Sequence, residues 1–321
     1  MDFGGSISPR EKSTNHLTTE RNFSALVLYE AKRLFSTRER LVIWRSRMEK
    51  LVAFVAENLK YNKLTRGWYK FGLYAPGALS VCNEFSNLED LVVPTIIDSR
   101  ELSDIKPLIK KSLLNFHDIF LRPNEDFYEW VYNRSPKEYK SFYFSKMPFE
   151  THLYNFKRYF EARNNRELGE EYQIEIESVS KLYQNIKHIN DNEILDLFHL
   201  YMDLLEMSLM KLKNDDFKKI EEKRIFLNNM DDAYKGECGL LELLVPFKQT
   251  LTGNNSEFWS EWADERIEKT KMSLPSKLDD LKRKAISLDL VPTMRELGED
   301  AERLAHGKRE SLREIFKKVD T

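Results

Sequence analysis

Along most of this chain apolar residues return every third or fourth position, the period of an α-helix with one face turned inward. The spacing predicts a first helix from Asn22 to Phe35. A stronger one runs from Arg38 to Leu59, where Leu41, Trp44, Met48, Leu51, Val52, Val55 and Leu59 form one stripe. Gly67 interrupts the pattern. Trp68 to Tyr74 is dense in aromatics and ends at Ala75-Pro76-Gly77, a turn signal, so it reads as a strand or hairpin arm. Leu91 to Ile97 is β-rich, but Pro94 has no N–H to give a ladder and restricts it to an edge or irregular strand. Two helices followed by short extended pieces predict a small, winged-helix-like α+β module over residues 20–98.

From Ser99 onward the helical period dominates. It is interrupted near Pro123, Pro136, Pro148, Asn164, Asn190, Asn214, Gly236, Gly253, Pro275, Pro292 and Gly307. Such spacing suits a large helical bundle or irregular α-array, and no solenoid-type repeat is present. The best-defined helix runs from Asp191 to Lys213. Asn190 and Glu193 make a capping-box-like start, and Ile194, Leu197, Phe198, Tyr201, Leu205, Leu209 and Leu212 form a continuous stripe. With Leu195, Leu200, Met202 and Leu204 added it is apolar over most of its circumference, as a central helix would be. Residues 1–19 are polar, Ser/Thr-rich and without period, which predicts a flexible tail. The expected organisation is therefore mainly α: a tail (1–19), a small α+β module (20–98) and a helical domain (99–321) with a sub-boundary near 236–254.

Composition sharpens this. Only 11 of 321 residues are glycine, against an average of roughly 7%. Helices tolerate that shortage, whereas barrels, sandwiches and phosphate loops consume glycine at their turns. An apolar fraction of 41% supports buried cores, and 32% charged residues with a net charge of −2 exclude a chain basic over its whole surface. Cys82 and Cys238 stand alone and read as reduced, half-buried thiols rather than a disulfide framework or zinc knuckle. Met1 to Arg10 lacks the apolar stretch of a signal peptide, and no run reaches the ~18 apolar residues of a membrane span. The expected compartment is the cytoplasm, with no membrane partner.

Candidate chemistry is sparse. Asp196, His199, Asp203 and Glu206 follow at spacings of three, four and three, one polar stripe on the 191–213 helix. A carboxylate three residues before a histidine is half of the di-metal motif of ferritin-like bundles, but no other histidine supplies the second half. The stripe reads as a solvated helix face. The helical ribonucleases of toxin and defence type place an arginine five to seven positions before a histidine; none of His117, His152, His188, His199 and His306 has one, and Arg10, six positions before His16, stands in the polar N-terminal segment. Ser103/Lys106 and Ser178/Lys181 have Ser-x-x-Lys spacing, which a lysine-rich chain produces by chance. Hydrolase, phosphate-loop and dinucleotide fingerprints are absent. The chain is therefore expected to hold no catalytic residue, no metal and no cofactor.

Charge segregation is more informative. Lys32 to Lys70 carries eleven basic residues and only three acids (Glu39, Glu49, Glu57), a local excess of eight, so the remainder sums to about −10. Arg38, Arg45, Arg47, Lys60, Lys63, Arg66 and Lys70 are the expected nucleic-acid-binding residues, because cations so clustered can neutralise phosphates. Trp68, Tyr69, Phe71 and Tyr74 beside them could stack on bases or pack. A second enrichment, Phe116 to Phe160, holds 15 of the 39 aromatics with seven basic and six acidic residues interleaved. Near-neutral local charge favours core packing there, and protein-partner contact next, over a single-strand platform.

Between Arg47 and Ser80, Met-Glu-Lys-Leu-Val-Ala-Phe-Val followed by Leu-Thr-Arg-Gly-Trp-Tyr-Lys-Phe-Gly-Leu-Tyr-Ala-Pro resembles the Panacea-type antitoxin domain, whose helix and polar turn lead to an aromatic strand ending in Tyr-Gly-Pro. Tyr74-Ala75-Pro76 lacks that glycine. The resemblance covers residues 47–80, carries over Lys50, Leu51, Tyr74 and Pro76 as fold markers, and implies a neutralising or regulatory module rather than an enzyme. The expected function is a non-catalytic binding or regulatory protein. Its basic N-terminal module would contact nucleic acid or a cognate protein, and its helical domain would associate with a protein partner or itself. The alternative is a purely helical scaffold or adaptor with no nucleic-acid role.

Overall fold

A computed structural model of the chain describes residues 14–35, 45–69, 72–85, 88, 91, 100–186, 188–213, 215–293, 295, 296 and 298. In chain order these form α1 (Thr14–Phe35), α2 (Arg45–Asn58), β1 (Gly67–Tyr69), β2 (Gly72–Tyr74), a 3-10 turn (Pro76–Ala78) and α3 (Leu79–Cys82). There follow α4 (Arg100–Phe120), α5 (Asn124–Tyr132), α6 (Lys137–Glu161), α7 (Asn165–Asn185), α8 (Asn192–Leu212) and α9 (Ile220–Ala233). A π-helical turn (Tyr234–Cys238), α10 (Gly239–Thr250) and α11 (Ser256–Ser287) complete the order. Helices account for well over half of the 321 residues, and the strands fall inside 66–98, as the period predicts.

The sheet among the described residues is a single antiparallel hairpin, with Trp68 opposite Leu73. Six strand residues are less than the expected winged-helix form calls for, and most of 91–97 lies outside the described residues. α1 starts at Thr14, so residues 14–19 are helical rather than tail; residues 1–13 lie outside the description. Pro148 and Pro275, expected to break helices, sit inside α6 and α11. Buried Phe149 and Leu153 follow the one, and buried Leu274 and Leu278 flank the other. Their burial offsets a missing i→i−4 bond, whose loss costs ~3 kcal/mol in an unsupported helix.

The chain divides into two compact units, and neither is continuous in sequence. The first comprises Met1–Phe144 and Leu241–Lys269, the second Ser145–Leu240 and Thr270–Thr321. This differs from the boundary expected at 98/99, because the N-terminal elements are completed by distant segments rather than by their own sequence neighbours.

In the first unit α1, α2 and α4 pack together, and the hairpin lies between α2 and α5. Gly72 holds φ +107°, and a Cβ there would stand 2.2 Å from Val131 Cγ1, so the hairpin approaches α5 as only glycine permits. α2 ends in a Schellman closure: Lys60 is left-handed at φ 51°, Lys60 N donates to Glu57 O and Tyr61 N to Ala56 O at 2.8 Å. The chain then meets the loop between α10 and α11. Arg66 and Thr252 exchange two backbone bonds of 2.9 Å, Trp68 N donates to Thr250 Oγ1 (2.7 Å), and Asn254 N donates to Asn62 O (2.9 Å). Beneath them lies Glu20 of α1, fully buried. Its Oε1 accepts from Thr65 N (2.9 Å) and Asn255 Nδ2 (3.0 Å), while Asn255 N donates to Thr65 Oγ1 (3.0 Å). The 3-10 turn closes over the same carboxylate, since a Cβ on Gly77 would lie 2.1 Å from Glu20 Oε2.

The second unit consists of helices joined by loops, with no strand among its described residues. α8 is capped by Asp191, one residue after the expected Asn190, and Asp191 Oδ1 accepts from Glu193 N (3.0 Å) and Ile194 N (3.2 Å). Its stripe is buried as expected, and Tyr201 Oη donates to Met230 O of α9 (3.1 Å). The π-helical turn sets Tyr234 against α6, where buried Lys146 donates to Tyr234 Oη (2.8 Å) and Glu150 Oε1 (2.9 Å).

Two glycines separate close approach from mere permissiveness. Gly253 has φ +114°, and its added Cβ would stand 2.6 Å from Thr65 Cα, whereas Gly169 in α7 has no atom within 4 Å of that position. Gly253→Ala should lose at least ~2 kcal/mol, and Gly169→Ala should gain ~0.5–1 kcal/mol. Urea unfolding of the two variants checks both signs.

Candidate functional site

The expected phosphate-facing residues separate into two groups. Arg38 and Lys70 lie outside the described residues. Arg47 and Arg66 are only 7% and 8% exposed. Arg47 Nη1 donates to Phe120 O (2.7 Å) at the end of α4, its Nη2 donates to Asn124 Oδ1 (2.7 Å) at the start of α5, and its guanidinium lies over the Phe127 ring. Arg66 Nη1 donates to Tyr61 O (3.1 Å) and Leu64 O (3.2 Å). Burial lowers the proton affinity of both guanidiniums, opposed by Tyr128 at Arg47 and by Glu57 at Arg66. For these two the expectation is corrected: they satisfy backbone carbonyls inside the first unit instead of facing a ligand. Arg45 is half exposed and pairs with Glu49 (3.2 Å), and Lys60 and Lys63 are exposed.

The neighbouring aromatics pack. Trp68 is 4% exposed, between Phe54 and Tyr143. Tyr69 and Tyr74 lie against each other and Phe247; burial pushes Tyr69 up to about 12, with Arg266 opposing. Phe71 lies outside the described residues. Within 116–160, Phe120, Phe127, Phe142, Tyr143, Phe149, Phe156 and Phe160 are all essentially buried, the packing role that near-neutral charge favours. Of the markers carried over from the antitoxin resemblance, Lys50, Leu51 and Pro76 are buried and Tyr74 is partly so. Burial pushes the Lys50 ammonium down to about 8, with Glu49 opposing. Neither cysteine is in a disulfide, and both are fully buried, not half-buried.

A charge constellation that the sequence did not single out forms between α1 and α4. Glu30 has a 1% exposed side chain, and three cations converge on it: Lys106 Nζ at 3.1 Å, Lys110 Nζ at 3.5 Å and Arg33 Nη1 at 3.7 Å. Their own side chains are 38%, 42% and 54% exposed. One buried carboxylate thus holds three half-exposed cations, leaving two positive charges in excess at one point of the surface. The signal in sequence was the Lys106/Lys110 spacing of one helical turn, but the pairing with Glu30 needs the helix packing and was not legible.

In the second unit the Asp196 stripe is as outward as its spacing implies. Asp196 and Asp203 are exposed, Glu206 and His199 partly so, and His199 stacks on Tyr183 of α7 (centroids 4.4 Å, planes 12° apart). Burial, with Asp203 and Glu206 adding, raises the Tyr183 hydroxyl to about 12. Among the described residues no three His, Cys, Asp or Glu side chains are arranged to hold a metal, and no helix is long and apolar enough to cross a membrane. The Ser-x-x-Lys pairs are occupied otherwise: Lys106 meets Glu30, and Ser178 Oγ donates to Ile174 O (3.0 Å).

Residues 90–315 match the family described as a domain of unknown function (DUF8098), and the chain belongs to that family. No curated protein and no solved structure matches it.

Arg47 and Lys60 give a direct check on which cations are structural. Arg47→Ala should destabilise the chain by ~2–3 kcal/mol, since it strands the buried Phe120 carbonyl that took a charged hydrogen bond. Lys60→Ala should change stability by less than ~0.5 kcal/mol. Equal effects in chemical denaturation would contradict this division.

Proposed function

We propose that this chain is a non-catalytic binding or regulatory protein whose first unit contacts nucleic-acid phosphates through Arg33, Lys106 and Lys110, with Arg45, Lys60 and Lys63 as further contacts. One observation carries the reading: three half-exposed cations are held by a single buried carboxylate, so the surface there is positive although the chain as a whole is not. Phosphate oxygens would take up the excess charge and release counterions. Cytoplasmic residence and protein association or self-association through the other helical surfaces complete the proposal. The order of α2, polar turn, hairpin and proline-led turn over residues 47–80 is the order that the antitoxin resemblance implies, and it supports a regulatory role. The finer winged-helix form is not required.

A second reading, a helical adaptor without nucleic acid, is favoured by Leu108 and Leu114 on α4, 53% and 62% exposed. The two readings separate by salt. The full chain is the object to test, because residues 20–98 are completed by α4, α5 and the 250–256 loop and are not a unit by themselves. Binding to a labelled DNA duplex, followed by anisotropy from low to high salt, should give a log–log slope of roughly −3 to −5 for three to six neutralised phosphates. Lys60→Ala, Lys63→Ala and Lys110→Ala should each flatten it by roughly one unit where the residue makes a contact. Arg33 and Lys106 are retained so that Glu30 stays compensated. No binding at low salt by the folded chain would select the adaptor.

A further inference from the structure

The inward stripe of α7 reads Leu168, Glu171, Tyr172, Glu175, Ser178, Val179 and Leu182. Two carboxyl groups stand in it one helical turn apart, where apolar side chains would be expected. Glu175 is fully buried, and neither of its carboxyl oxygens has a hydrogen-bond partner among the described residues. Glu171, 7% exposed, is placed differently: its Oε1 lies 2.5 Å from His152 Nδ1 on α6, and the His152 side chain is 25% exposed. Lys213 at the end of α8 also faces this stripe and sits over the Tyr172 ring at 3.8 Å. The charge that acts on Glu175 is that of Glu171. A carboxylate in such a place would have no ion pair and no donor among the described residues, a condition that costs several kcal/mol and that protonation removes.

We propose that the second unit carries a structural proton on Glu175, and that the Glu171–His152 contact makes the meeting of α6 and α7 a proton-linked lock. While Glu175 is neutral, Glu171 is the single charge of the stripe and His152 answers it. Loss of the Glu175 proton places a second negative charge one turn from the first, inside apolar packing, and the contact between the helices loosens. Burial first, and the Glu171 charge second, hold Glu175 well above the usual carboxylate range. A carboxyl that binds its proton more tightly folded than unfolded gives stability that is complete below the unfolded value, about 4.3, and is lost as pH rises through the folded value. Glu175→Gln keeps the shape of the neutral acid and removes the titration.

The test uses the full chain and follows thermal midpoints from pH 5 to 9. The midpoint of Glu175→Gln relative to the native chain is expected to rise with pH, by at least about 2 °C across that range. The readout is the change of the difference with pH, so a uniform penalty from imperfect accommodation of the amide does not disturb it. In a Glu171→Gln background the same change should shrink, because the repelling charge is gone. Infrared difference spectra of the native chain against Glu175→Gln at pH 7 should show the band of a protonated carboxyl. A midpoint difference that stays flat from pH 5 to 9, or the absence of that band, overturns the proposal.

Discussion

The carboxylate of Glu20 is where the first unit is closed. A buried carboxylate is tolerable only when donors surround it, and its donors come from places far apart in the chain: the amide of Thr65, next to the hairpin, and the side chain of Asn255, between α10 and α11. Satisfying one charge in α1 therefore brings residue 65 and residue 255 to the same point. The Arg66–Thr252 bridge, the Trp68–Thr250 bond and the glycine at 253 follow from that approach. So does the discontinuity of the unit, since a segment beyond residue 240 must return to it.

The same demand governs the cations. Arg47 and Arg66 look in sequence like members of one basic surface with Lys60 and Lys63. In the folded chain Arg47 reaches the Phe120 carbonyl at the end of α4, which an α-helix leaves without a partner, and Arg66 reaches the Tyr61 and Leu64 carbonyls in the loop after α2. Three half-exposed cations gather instead on a buried acid, Glu30. Local charge density in a sequence is thus a poor guide to the electrostatic face of a fold: what matters is which cations the interior consumes.

Helical period made α2, α4, α7 and α8 legible, because their buried residues fall at steps of three and four and no neighbour has to be known. Aromatic density around 68–74 and the Ala-Pro-Gly turn located the hairpin. Pro148 and Pro275 misled, because a proline's local cost can be offset by burial that only the tertiary packing supplies. The division differs from the boundary expected at 98/99 for a related reason: the helical period takes over at Ser99, but Arg47 and Gly72 tie the N-terminal elements to α4 and α5. The Glu30 cluster and the Glu175 stripe were not legible either. A glutamate in a helix reads as solvated unless its helical phase is compared with that of its apolar neighbours. For Glu175 that comparison was possible in sequence, since it shares the phase of Leu168, Tyr172, Val179 and Leu182.

If Glu20 closes the first unit, its bond to Asn255 must be energetically coupled rather than a bystander of packing set elsewhere. A double-mutant cycle of Glu20→Ala and Asn255→Ala, read by urea unfolding of the full chain, measures that coupling. The expected result is a coupling of about 1 kcal/mol or more, the range of a buried charged hydrogen bond. Strictly additive losses from the two substitutions would contradict the account.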